Sequence, residues 1–144
     1  MSARRTSIIA AALAAAPLLA AADPCAGANP KADQALSLAR SQKYVDAEAA
    51  ANGVLATCPT QPVAVAALGQ SVVGQKRYDD AVAKMTAAIT AKKDLAYPYL
   101  WRGYAYYYKK QPDKMVGDFE TFLKLAPAAP EATTVKQLLA SIKR

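Results

Sequence analysis

Residues 65–89 read VAALGQSVVGQKRYDDAVAKMTAAI. Small or apolar residues stand at Val65, Gly69 and Val72, the spacing that puts them on one face of a helix. The polar run Gly74-Gln75-Lys76-Arg77 interrupts that face, and a second one follows with Ala81, Met85 and Ala88. Two helical faces joined by so short a turn describe an antiparallel hairpin. One hairpin cannot bury its apolar side alone, so copies are expected on either flank.

The flanks supply them in a fixed register. The step from Tyr44 to Tyr78 is one period, and the next step reaches Pro112. Ala47, Ala81 and Met115 fall in one column, and Ala51, Met85 and Phe119 in another. Val54, Ala88 and Phe122 continue the register, as do Leu55, Ile89 and Leu123. Upstream, Ala35, Gly69 and Gly103 match, and so do Leu38, Val72 and Tyr106. An alanine-rich chain gives one or two such columns by chance, not a set with matched chemistry. The period predicts copies over about 28–61, 62–95 and 96–129. Pro30, Pro62, Pro98 and Pro130 stand near expected helix starts, where a missing N–H costs little. Pro59 and Pro127 follow expected helix ends. Over 130–143, Ala132, Val135, Leu138, Leu139 and Ile142 share a face, which suits a helix that caps the last copy.

These columns resemble the tetratricopeptide repeat family. Its pattern of a bulky residue, Leu-Gly and Tyr on the first helix, then Tyr, Ala, Phe and Ala on the second and a closing Pro, shows best as Val65, Leu68, Gly69, Val72, Tyr78, Ala81, Met85 and Ala88, with Val72 in the first tyrosine column and Met85 in the phenylalanine column. The third copy keeps Tyr99, Gly103, Tyr106, Phe119, Phe122 and Pro127, with Arg102 in the leucine column and Met115 in the alanine column as departures. The first keeps Ala35, Leu38, Tyr44, Ala47, Val54 and Pro59. The resemblance implies an all-α, right-handed α-solenoid of three helix-turn-helix repeats with a capping helix over 23–144. It also implies a module that binds protein or peptide.

In that family five positions of each copy line the concave groove. Carried over, they are Asn29, Ala32, Leu36, Ala39 and Arg40 in the first copy. In the second they are Val63, Ala66, Gln70, Val73 and Gly74, and in the third Tyr97, Leu100, Tyr104, Tyr107 and Tyr108. The third set lies in the stretch 97–110, YPYLWRGYAYYYKK, which holds six of the eight tyrosines and the only tryptophan. Tyrosine gives contact area, a hydroxyl and little rotamer entropy to lose, so it suits recognition. Tyr104 and Tyr107 could equally cover neighbouring helices, whereas Tyr108 favours the groove. Trp101 fits either the groove edge or the underside of the cap helix. Tyr99, Gly103 and Tyr106 fall in packing columns and are expected in the core. Lys43, Lys76, Arg77 and Lys110 recur at the turns between paired helices and would form a basic edge. Cations also favour helix C-termini for local reasons.

The segment 1–22 reads differently. A basic start, MSARR, precedes the apolar run IIAAALAAAPLLA, and Ala20 and Ala22 occupy small-residue positions before a cut. That is the layout of a secretory signal peptide over 1–22. Pro17 and the short run argue against a membrane anchor. Removal would take the net charge from +7 to +5. The mature protein is then expected in the periplasm, without a membrane span. In an oxidising compartment Cys25 and Cys58 are expected to pair. In a helical hairpin those two points are neighbours.

The sequence has no histidine, which removes the commonest general base and metal ligand. The cysteine spacing is not that of a metal site, and no glycine-rich phosphate loop is present. The expectation is a non-enzyme with no metal and no cofactor, whose partner is a protein or peptide and not nucleic acid. A self-associating repeat, with its aromatic face in a homo-oligomer contact, is the alternative.

Overall fold

A computed structural model describes residues 25–142. The expected signal peptide and the last two residues lie outside them. Among the described residues there are seven α-helices and no strand. They are α1 (Pro30–Arg40), α2 (Tyr44–Leu55), α3 (Pro62–Gly74), α4 (Tyr78–Ala91), α5 (Ala96–Tyr108), α6 (Pro112–Leu125) and α7 (Ala132–Ile142). The first six make three hairpins, and the chain is an all-helical repeat as its register implies. The first helices of the pairs pack side by side, α1 on α3 and α3 on α5. The second helices α2 and α4 each bridge two first helices, and α7 packs on α6.

Each hairpin turns through the same backbone device. The N–H of Gln42 bonds the carbonyl of Ala39, and that of Lys43 the carbonyl of Leu38, at 3.0 and 2.9 Å. Lys76 and Arg77 repeat this with Val73 and Val72, and Lys110 and Gln111 with Tyr107 and Tyr106. This is the paired bonding of a Schellman motif, whose central residue is left-handed. Gln42, Lys76 and Lys110 have φ of 62°, 62° and 58°, and none is glycine. The three strained residues are spaced by the sequence period of 34.

Helix starts use other means. Asn29 caps α1, its Oδ1 accepting from the N–H groups of Lys31 and Ala32. Gln61 caps α3 while buried: its Oε1 accepts from Ala64 N–H at 2.7 Å, and its Nε2 donates to the Gly27 carbonyl at 3.4 Å. That second bond ties the segment before α1 to the start of α3. The Cys25–Cys58 disulfide closes the same corner, with Cα atoms 5.1 Å apart. On the chain-entropy argument a loop of 33 residues stabilises by about 4 kcal/mol. The staple sits on the hairpin with the smallest side chains, where Ala32, Ala35, Ala39, Ala47 and Ala51 are all fully buried.

Side-chain size grows along the array. The middle core centres on α3, with Val65, Leu68, Val72 and Met85 packed together. The last core is aromatic: Leu100, Met115, Phe119 and Phe122 meet Val135 and Leu139 of α7. Arg102, out of place in a leucine column, pairs with the buried Asp118 through two 2.8 Å bonds. Its guanidinium also lies 5.8 and 6.0 Å from the rings of Tyr99 and Tyr106. Tyr99 and Tyr106, expected wholly in the core, are therefore half-buried flanks of an ion pair. Asp118 and its hydrogen bonds hold Arg102 above the usual arginine pKa, against the opposing effect of burial.

Candidate functional site

Three first helices side by side leave a concave surface. Leu36 and Arg40 reach it from α1. Pro62, Val63, Ala66 and Gln70 reach it from α3, with Val73 further along. Tyr97, Trp101, Tyr104 and Tyr108 reach it from α5. Glu131, just before α7, closes the far side.

Of the residues expected on the groove, Arg40, Gln70, Val73, Tyr97, Tyr104 and Tyr108 are brought together here. Others need correction. Ala32 and Ala39 of the first copy are fully buried, and two expectations for α5 are also revised. Leu100 is fully buried, drawn into the last core with Met115, Phe119 and Phe122 of α6 and Val135 and Leu139 of α7. Tyr107 points away from the groove, into a separate cleft with Lys110, Pro112, Met115 and Ile142. On a helix one residue's step turns the side chain by about 100°, enough to move Tyr107 off the face that Tyr108 occupies.

Trp101 belongs to the groove. Its indole fits because Gly69 offers no side chain: a Cβ at Gly69 would lie 2.6 Å from Trp101 Cβ and Cγ. The ring then packs against Tyr104, centroids 5.4 Å apart, and Tyr104 meets the edge of Phe119 at 5.2 Å. The aromatic wall is thus anchored in the core beneath it. Tyr108 is 51% exposed, yet one face of its ring stacks on Tyr78 at 5.0 Å and its edge meets Tyr107 at 5.3 Å. Tyr78 and Tyr108 are the stacked pair, and the other ring contacts are tilted or edge-on.

Glu131 was missed, although the register reaches it. Val63 and Tyr97 are 34 apart, and one more step gives Glu131. The third copy ends at 129, so this further step falls in the segment that leads into the cap helix. Tyr97 donates its hydroxyl to Glu131 Oε2 at 3.3 Å. Burial, then the charge of Glu131 and this bond, push the Tyr97 phenol above its usual pKa, with Arg40 opposing. The Tyr104 phenol is also raised, by burial first and then by Tyr108 and Glu131.

The four basic residues sit at the hairpin turns, but they do not form an even strip. Arg77 is tied to Glu48 at 2.7 Å and to Asp80, and Lys109 beside Lys110 is tied to Asp79. Lys76 stands at the end of the groove with Tyr44, Tyr78 and Tyr108. Among the described residues no group of acidic, cysteine or histidine side chains has the makings of a metal site.

In its fold the chain is similar to a bacterial secretion chaperone. The crystal structure of the Yersinia enterocolitica type III secretion translocator chaperone SycD, in an alternative dimer, superposes with a TM-score of 0.65 at 18% identity. The match covers 81% of this chain and 94% of that one. At that identity the likeness concerns the fold. No protein-family model matches the sequence, and no curated protein does.

Proposed function

We propose that this protein is an exported binding module whose concave groove holds an extended peptide, or a helix, of another envelope protein. It works without catalysis. The observation that carries the reading is the groove itself: a continuous apolar and aromatic hollow built from three repeats, with Tyr108 half exposed at one end. An apolar floor that carries a few convergent polar groups at its rim, here Arg40, Gln70 and Glu131, is the make-up of a recognition site. The solved neighbour is itself a chaperone that shares the fold. The basic, then apolar, then small-residue layout of the segment 1–22 supports export.

A second reading has its own observation. Tyr107 and Ile142, 44% and 39% exposed, form an apolar cleft at the end of the array that suits self-association.

The test is a selection of peptides from a random displayed library on the mature protein. The selected peptides are then titrated against Val63→Glu, Tyr108→Ala and, on the other side of the array, Ala87→Glu. The groove reading expects a loss of at least about tenfold for the first two and none for the third. Equal affinity for all three contradicts it. Light scattering on the same samples decides the second reading: a dimer that Tyr107→Ser with Ile142→Ser converts to monomer supports it, and a wild-type monomer ends it.

A further inference from the structure

We propose that the groove selects a peptide by one bulky apolar side chain flanked by opposite charges, acidic toward Arg40 and basic toward Glu131. This rests on the peptide-groove reading and adds the chemistry of the ligand.

The apolar requirement comes from the shape of the floor. Leu36, Val63, Ala66, Tyr97 and Trp101 surround a hollow of about 120 Å³. That is close to the roughly 150 Å³ cavity that admits a benzene molecule in other proteins. One leucine, methionine or phenylalanine side chain fills it, and a drug-sized ligand does not. Small residues on α3 and large ones on α5 make it a socket with one soft and one hard wall.

The charge requirement comes from the rim. Arg40 and Glu131 both border the hollow, one from the first helix and one from the start of the last. Neither is in an ion pair among the described residues, although other charges here are paired. The Glu131 carboxylate accepts from the Tyr97 hydroxyl at a long 3.3 Å. Arg40 and Glu131 border the same hollow from different elements without pairing with each other, so a ligand lying in it meets both charges. Lys76 adds a second positive charge beside Tyr78 and Tyr108, in a hollow that shares Gln70, Val73, Trp101 and Tyr108 with the groove. Unlike charges at a groove's two sides fix the direction of a bound chain more than they add affinity.

The probes are fluorescein-labelled eleven-residue peptides in a Gly/Ser background with a central leucine. One has acidic residues before the leucine and basic residues after it, one has the reverse order, and one is uncharged. A fourth replaces leucine by alanine in the tighter charged peptide. Polarisation titrations with the full chain should favour one charged order over the other and over the neutral peptide, by about threefold to fivefold. Loss of the leucine should weaken binding at least about tenfold, and so should Ala66→Met, which fills the hollow. The double variant Arg40→Glu with Glu131→Lys should invert the preferred order while keeping the leucine dependence. Its two sites are at the groove rim, and circular dichroism checks that the helices remain. An unchanged order in the double variant, or no dependence on leucine, overturns the inference. If library-selected peptides still bind the groove in that case, only this inference falls. If no peptide binds at all, the groove reading falls with it.

Discussion

Replacing the three left-handed residues by glycine should stabilise the protein. Gln42, Lys76 and Lys110 hold φ near 60°, where a side chain crowds the following carbonyl. An L-residue there costs about 1–2 kcal/mol, and glycine is free of that cost. Glycine in turn gives the unfolded chain more freedom, which takes back about 0.4–1 kcal/mol. The net gain is about 0.5–1 kcal/mol at each turn. The turns belong to separate hairpins, so the gains should add. The triple variant Gln42→Gly, Lys76→Gly and Lys110→Gly should then gain about 2 kcal/mol. For a domain of this size that is a Tm rise of about 8 °C. Urea unfolding followed by circular dichroism gives the free energy, and a thermal melt gives Tm. The companion Gln42→Val should destabilise, because a β-branched side chain suits that region least. A triple-glycine protein no more stable than wild type would refute the reasoning, since those turns would then not hold their central residues left-handed.

Other expectations follow from single contacts. Cys25→Ser with Cys58→Ser should lose about 4 kcal/mol, with the largest rise in amide exchange in α1 and α2; loss spread evenly over the array would contradict a local staple. Gly69→Ala drives a methyl to within 2.6 Å of Trp101 and should cost about 1–3 kcal/mol in urea unfolding, whereas Gly53→Ala, with open space around it, should not. Phenol absorbance on raising pH should show Tyr97 and Tyr104 ionising later than exposed tyrosines, because folding favours their neutral forms. The stability they lend is present below pH 10 and is lost as pH climbs through their raised values. A single transition near pH 10 for every tyrosine would contradict the burial of these two.

Much of this architecture is readable because its period is written in small residues. Gly69 and Gly103 mark where rings must sit, and Ala35, Ala47, Ala51 and Ala81 mark faces that pack without bulk. The groove is readable only as far as its columns repeat without change. Leu100 takes a groove position in the family pattern, but it is buried in the aromatic core of the last repeat, and nothing local to residue 100 announces those neighbours. Tyr107 and Tyr108 are adjacent tyrosines with the same composition around them, so only the helix phase separates them. The Arg102–Asp118 pair is hidden differently: the two residues come from different helices 16 positions apart, and a charge in a leucine column looks like a defect until its partner is placed. The strained turns at Gln42, Lys76 and Lys110 lack the glycine that usually reveals such a cap, so backbone geometry alone shows them.

The central claim is that a ligand lies along α1, α3 and α5. Amide shifts of the isotope-labelled protein, recorded with and without a library-selected peptide, test it most directly. Perturbed amides should cluster at Leu36, Arg40, Val63, Gln70, Trp101, Tyr108 and Glu131. Shifts confined to α2, α4 and α6, with those positions unmoved, would contradict it.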